Sequence, residues 1–272
     1  RAQGITVLAI DLPSGLQADT GQAWGEHCVR ADHTLCLLTA KPGLFTGAGR
    51  DWAGRVWLDT LDVTDALTAE PPTAWLSKPK LDHNPKRQQN RKQRSHKNKM
   101  VVGGAPGMVG AAWLAGRAAL AAGAGRVHLH LLDRLAPGTD AAQAELMLHD
   151  TDWLAHRPHW AQATVVCGCG GGTAVGATLP TLIAHAARLV LDADALNLLA
   201  RMPGATHRLT ERARRGQRTV LTPHPLEAAR WLGCDAQAVQ ADRLAAAQTL
   251  AERCAATVIL KGSGSVVAAP GR

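Results

Sequence analysis

Three short apolar runs in the last third of the chain, Arg188-Leu189-Val190-Leu191, Arg218-Thr219-Val220-Leu221 and Thr257-Val258-Ile259-Leu260, each stop at a polar turn marked by Gly, Pro or Asp. Runs this short and aliphatic read as strands buried in a sheet. Helical segments are predicted between them. The clearest runs from about Ala236 to Ala255, where Val239, Leu244, Ala247, Leu250, Ala251 and Cys254 follow a 3.6-residue stripe against Asp242, Arg243, Gln248, Glu252 and Arg253. Such alternation predicts an α/β fold with a mainly parallel sheet covered on both faces. In a sheet of that kind the turns after the strands share one edge, where ligands bind. The turns here are Asp192-Ala193-Asp194, Thr222-Pro223-His224-Pro225-Leu226-Glu227 and Lys261-Gly262-Ser263-Gly264-Ser265, and together they predict one site.

With 272 residues the chain has room for one large domain or two modest ones. Its six cysteines show no CxxC pair and read as reduced thiols, and Cys167-Gly168-Cys169 offers too few ligands for a metal site. No run is long and apolar enough to span a bilayer and no signal peptide opens the chain, so the expectation is a cytoplasmic protein with no membrane partner. Formal charge is +8, with nine Lys or Arg residues between Lys78 and Lys99 against the single acid Asp82. Such a run reads as a solvated connector. It has no interleaved aromatics for base stacking, which argues against nucleic acid as a partner.

Several turns carry candidate chemistry. Gly103-Gly104-Ala105-Pro106-Gly107 follows an apolar run and opens an Ala-rich helix through about Ala122, either a tight strand-to-helix turn or an anion cradle at a helix N-terminus. Gly168 to Gly172 follows Ala163 to Cys167 and reads as a second backbone nest. Asp192 and Asp194 share a face if the segment is extended, as in a metal or acid/base pair, while Asp194 serves equally well as a helix N-cap or a nucleotide contact. A lone histidine is commonly structural, but His224, between two prolines at a strand end, is poised to meet a ligand. Lys261 to Ser265 combines a cation, two glycines and two hydroxyls, suited to a nucleotide phosphate, and also forms the turn of a hairpin to Val266-Val267-Ala268. Near the start, Ile5 to Ile10 reads as a strand, and Asp11 in the turn after it suits proton transfer or simply stabilises the turn.

The order GGA-x-G-x-x-GA (Gly103 to Ala111), AGAG (Ala122 to Gly125), LDADALNLL, TPHPLEAARWLG and LKGSGS resembles the ADP- or ATP-dependent NAD(P)H-hydrate dehydratase family, which implies a ribokinase-like three-layer α/β/α domain. Upstream, Ala9 to Leu16, Arg30-Ala31-Asp32-His33-Thr34, Lys41-Pro42-Gly43-Leu44 and Ala53-Gly54-Arg55-Val56 are similar to the closing part of the NAD(P)H-hydrate epimerase domain, Rossmann-like in fold. The resemblance implies residues 1–70 as part of an epimerase-like domain, 71–99 as a basic linker and 100–272 as the dehydratase-like domain. It implies substrate contacts at Ala111, Gly170 and His224, and ADP or ATP contacts at Lys261, Gly262, Ser263, Gly264 and Ser265. Asp11 becomes the epimerase acid/base and substrate contact, and Ser14 a potassium ligand. Implied cofactors are ADP or ATP, Mg2+ and K+, and the implied partner is hydrated NADH or NADPH, handled by a homo-oligomer.

The second glycine turn departs from the family's Gly-Pro-Gly-Leu-Gly at Cys169 and Gly171. The family also places Gly-Thr-Gly-Asp after the nucleotide loop, with its aspartate as the implied general base, and an Asn-rich segment early in the epimerase. Neither occurs in these 272 residues, so both active sites are expected to be incomplete in this chain. A ribokinase-like small-molecule kinase and a catalytically dead nucleotide-binding fragment are the other readings.

Overall fold

The computed structural model describes residues 4–63, 71–77, 98–136, 138–150, 154 and 162–271. The basic run from Lys78 falls outside them as far as Lys97. Two sheets form. In the first, β1 (Leu8–Ile10), β2 (His33–Leu37) and β3 (Arg55–Asp59) pair in parallel in that order. The strand expected from Ile5 is thus only its last three residues.

Among the described residues the second sheet has eight strands. β4 (Lys99–Gly103) lies between β5 (Val127–Leu131) and β7 (Thr164–Cys167), with β6 (Met147–His149) outside β5. Beyond β7 come β8 (Arg188–Leu191), β9 (Arg218–Leu221), β10 (Thr257–Leu260) and β11 (Val266–Ala268). Every pairing is parallel except β10 with β11, which form the expected hairpin in the register Leu260 to Val266.

Strand alternation divides the core. On β4, Met100 and Val102 join the main cluster while Val101 points to the other face, among Ala112, Val127, Leu129 and Leu146. The helix α1 (Gly49–Ala53) packs with the first sheet to form a first unit, and α2 (Val109–Ala121) covers β4 and β5 on the second face. The main cluster is sealed by α3 (Leu179–His185), α4 (Ala193–Ala200), α5 (Ala205–Arg214), α6 (Pro225–Leu232), α7 (Ala236–Ala241) and α8 (Arg243–Cys254). No helix among the described residues is long and apolar enough to cross a membrane.

The long helix expected over 236–255 is two helices. Asp242 leaves the helical region at φ −143° and ψ 88°, and its carboxylate accepts the Ala245 N–H at 2.9 Å, starting α8 afresh. Restarting changes the phase of the stripe. Val239, Ala247, Leu250, Ala251 and Cys254 are buried as expected, Leu244 is only half-buried, and Arg243, assigned to the polar face by periodicity, is fully buried. Asp242→Ala is therefore expected to cost about 1 kcal/mol of unfolding free energy through the lost cap, measurable by urea titration.

Candidate functional site

Parallel pairing brings the ends of β4, β7, β8, β9 and β10 to one edge, and their turns touch. The two glycine turns pack backbone to backbone: Ala105 N–H donates to Gly170 O at 2.7 Å and Gly104 N–H to Cys169 O at 3.0 Å. Gly170 has φ +58°, and a methyl there would sit 2.6 Å from Met108 O and 2.9 Å from Ala111 Cβ. Only glycine fits. Ala111 and Gly170, implied separately as substrate contacts, therefore form one wall.

Asp192 and Asp194 part company. Asp192 is the N-cap position of α4, but its side chain makes no cap bond; Oδ1 instead accepts from Lys261 Nζ at 2.6 Å and from Thr222 Oγ1 at 2.7 Å. Burial raises the Asp192 pKa, and the Lys261 and Thr222 hydrogen bonds outweigh it, so the carboxyl sits below its ordinary value. Asp194, in the first turn of α4, accepts the Gly172 N–H at 2.8 Å and so pins the second glycine turn. The structure corrects the cap reading of Asp194, which lies inside the first turn of α4 and not at its N-cap, and among the described residues the two aspartates share no partner.

Cys169 lies beside this cluster, its Sγ 3.9 Å from Asp192 Oδ2. Burial first, then the neighbouring carboxylate, pushes its thiol up to about 11, so it stays protonated at neutral pH. Cys167 is fully buried, and among the described residues no group of three His, Cys, Asp or Glu could hold a metal ion.

His224 caps α6 through its ring. Nδ1 accepts from Leu226 N–H at 3.1 Å and Glu227 N–H at 3.3 Å, while Glu227 accepts the His224 N–H at 2.8 Å. A ring nitrogen that accepts carries no proton, so the neutral tautomer has its hydrogen on Nε2, which is 3.4 Å from Glu227 Oε1. The Lys261 N–H donates to Pro223 O at 2.8 Å, which fixes the histidine turn beside the nucleotide-loop candidate.

In the first unit Asp11 sits at φ +66°, held by its own N–H on Leu35 O at 2.7 Å. Its Oδ1 accepts from Leu37 N–H at 3.0 Å and from the Lys41 ammonium. That lysine bond, ahead of a smaller burial effect, holds the carboxyl below its ordinary range. Ser14 is exposed in the same turn, its carbonyl taking the Val29 N–H at 2.9 Å. Sequence reasoning quoted Lys41 without giving it a task; its pairing with Asp11 joins positions thirty residues apart and has no local signal.

An open, mainly parallel sheet whose glycine turns and lysine-bearing hairpin meet at the carboxyl edge gives this part of the chain an α/β fold of the ribokinase-like kind. A ribokinase-like superfamily protein from Enterococcus faecalis V583 is similar over 67% of this chain and 63% of its own, with TM-score 0.55 and 18% identity. An ADP/ATP-dependent NAD(P)H-hydrate dehydratase from Bacillus subtilis, co-crystallised with ATP/Mg2+, is similar over 68% and 65%, with TM-score 0.53 and 24% identity. The chain belongs to the NAD(P)H-hydrate dehydratase family, whose model matches residues 99–272. Residues 1–43 match the YjeF-related protein N-terminus. The bifunctional NAD(P)H-hydrate repair enzyme Nnr of Escherichia coli (strain K12) is 37% identical over 270 residues, covering 97% of this chain and 50% of its own length. The ADP-dependent (S)-NAD(P)H-hydrate dehydratase of Neisseria meningitidis serogroup B is 43% identical over 174 residues, 62% of this chain and 57% of its own. This chain thus spans about half the length of the curated relatives it matches.

A pH test follows from Asp192. Because its folded pKa is lowered, its contribution is present above the unfolded value, about 3.9, and is lost as pH falls through the folded value. Asp192→Asn is expected to lose about 1 kcal/mol near pH 7, and the gap to the unsubstituted chain should close in acid; chemical denaturation at several pH values measures it.

Proposed function

We propose that this chain carries the nucleotide and substrate sites of a bifunctional nicotinamide-nucleotide repair enzyme. The dehydratase-like part, residues 100–272, uses ADP or ATP to dehydrate the (6S) hydrate of NADH or NADPH, and residues 1–70 belong to the part that interconverts the R and S hydrates. The observation that supports this most is the contiguous edge formed by the Ala111–Gly170 wall, the His224 turn and the Lys261 loop, in a chain of this family.

The donor set suits an anionic ligand. Lys261 supplies an ammonium whose only carboxylate among the described residues, Asp192, keeps it on the sheet edge, and Ser263 and Ser265 add hydroxyls. In the proposed reaction the ring hydroxyl takes a phosphoryl group from the nucleotide, and loss of phosphate with a ring proton restores the reduced ring. Lys261 offsets charge on the transferred group. His224, with its hydrogen on Nε2, donates to the substrate, and the small residues at 111 and 170 leave room for the ring. Among the described residues no group of three His, Cys, Asp or Glu could hold a metal ion; Mg2+ carried by the nucleotide would supply charge neutralisation at the phosphates. In the first unit Asp11 is the proposed acid/base for epimerisation, kept ionised by Lys41, with Ser14 in the adjacent turn as a potassium ligand.

Calorimetric titration with ADP tests this reading. Lys261→Ala is expected to weaken binding about tenfold or more, the worth of a charge-assisted hydrogen bond. Unchanged affinity would remove the loop from the nucleotide site.

A further inference from the structure

The Lys261–Ser265 turn has an inner side that no part of the proposed reaction explains. Arg243, fully buried at the start of α8, spreads its guanidinium beneath the turn. Nη2 donates to Leu260 O at 3.2 Å, Lys261 O at 3.1 Å and Gly264 O at 3.4 Å, and Nη1 donates to Gln240 Oε1. None of these acceptors is a carboxylate. A buried cation with no carboxylate partner among the described residues is expensive to keep for packing alone.

The remaining donor crosses to the first unit. Arg243 Nε bonds Thr46 Oγ1 at 3.2 Å, and Thr46 Oγ1 in turn donates to Gly264 O at 3.4 Å. Beside it Gly47 N–H donates to Ser263 O at 3.0 Å. The carbonyls of Lys261, Ser263 and Gly264 are therefore all drawn to the inner side. In a trans peptide the following N–H points the opposite way, so the N–H groups of Gly262, Gly264 and Ser265 face outward. Among the described residues none of the three donates to a backbone carbonyl.

The glycines record the same mould. A methyl at Gly262 would lie 3.1 Å from both Nη1 and Nη2 of Arg243, and one at Gly264, where φ is +64°, would lie 2.0 Å from Phe45 O. Steric demand comes from the arginine and from the first unit, before any phosphate is considered.

We propose that Arg243 is a positioning residue for the nucleotide loop, and that Thr46 and Gly47 of the first unit complete the mould that turns three backbone N–H groups toward a nucleotide phosphate. The inference rests on the reading of residues 261–265 as the nucleotide loop. It makes nucleotide affinity depend on a segment outside the dehydratase-like domain. Only five residues separate Gly47 from Lys41, the partner of Asp11, so the two candidate sites are joined by one short stretch of chain.

The test compares Thr46→Val and Arg243→Lys with the unsubstituted 272-residue chain and Lys261→Ala. Readouts are ADP affinity by calorimetry, hydrogen exchange of the 262–265 amides, and thermal unfolding. Thr46→Val, close in size, leaves Arg243 Nε without its hydroxyl and should lower the thermal midpoint by a few degrees while still folding, and it should bind ADP about threefold more weakly; Arg243→Lys should lose about tenfold. In both, saturating ADP should protect the loop amides less than it does in the parent, while the protection of Leu189–Leu191 is unchanged. Should Arg243→Lys fail to fold, Thr46→Val alone decides. If both variants bind ADP as the parent does while Lys261→Ala is weakened, the nucleotide loop stands and the mould is refuted. If the parent chain itself does not bind ADP, the nucleotide reading falls and takes this inference with it.

Discussion

Parallel strand pairing is the constraint on which the molecule depends. Because β4, β7, β8, β9 and β10 run the same way, every turn that leaves them leaves at one edge, and residues as far apart as Gly104, Asp192 and Lys261 become neighbours. The main-chain bonds between turns, Ala105 to Gly170 and Lys261 to Pro223, then fix the relative heights of the loops. The edge is a surface of backbone rather than of long side chains. Such a surface loses little entropy when a ligand binds, since its groups are already ordered.

Electrostatics at that edge is arranged around one carboxylate. Asp192 gathers the lysine, the threonine hydroxyl and the edge of the Cys169 thiol; this negative charge orders the ammonium and adds to the burial that chiefly raises the thiol. Two aspartates spaced by one residue thus do different work: Asp192 sets charge at the centre, and Asp194 fastens a glycine turn at its rim.

Much of this was legible beforehand because it is local. The strands at 188–191, 218–221 and 257–260, the helix after Gly107 and the hairpin at 261–265 all follow from short-range pattern and turn chemistry. What escaped depends on phase or on distance. A single capping aspartate at 242 rotated the following helix and carried Arg243 inward, where periodicity had placed it outside. Asx capping just before a charged residue was the available clue. The Lys41–Asp11 and Arg243–Thr46 contacts span too much sequence to leave any pattern. Glycines in the second turn and at 262 and 264 were read as a backbone nest and as a turn suited to a phosphate; at Gly170 and Gly264 they are demanded first by neighbouring backbone.

The strand order also fixes a sequence of events during synthesis. β4 pairs with β7, sixty-odd residues later, so the middle of the sheet cannot close until the chain has passed Cys167. From there β8, β9, β10 and β11 add one after another to the same growing side, each beside its immediate predecessor. A chain leaving the ribosome would therefore assemble the sheet vectorially once its centre is set. The slow step belongs to the long closure between β4 and β7, whose loop entropy must be met before the later strands have a template.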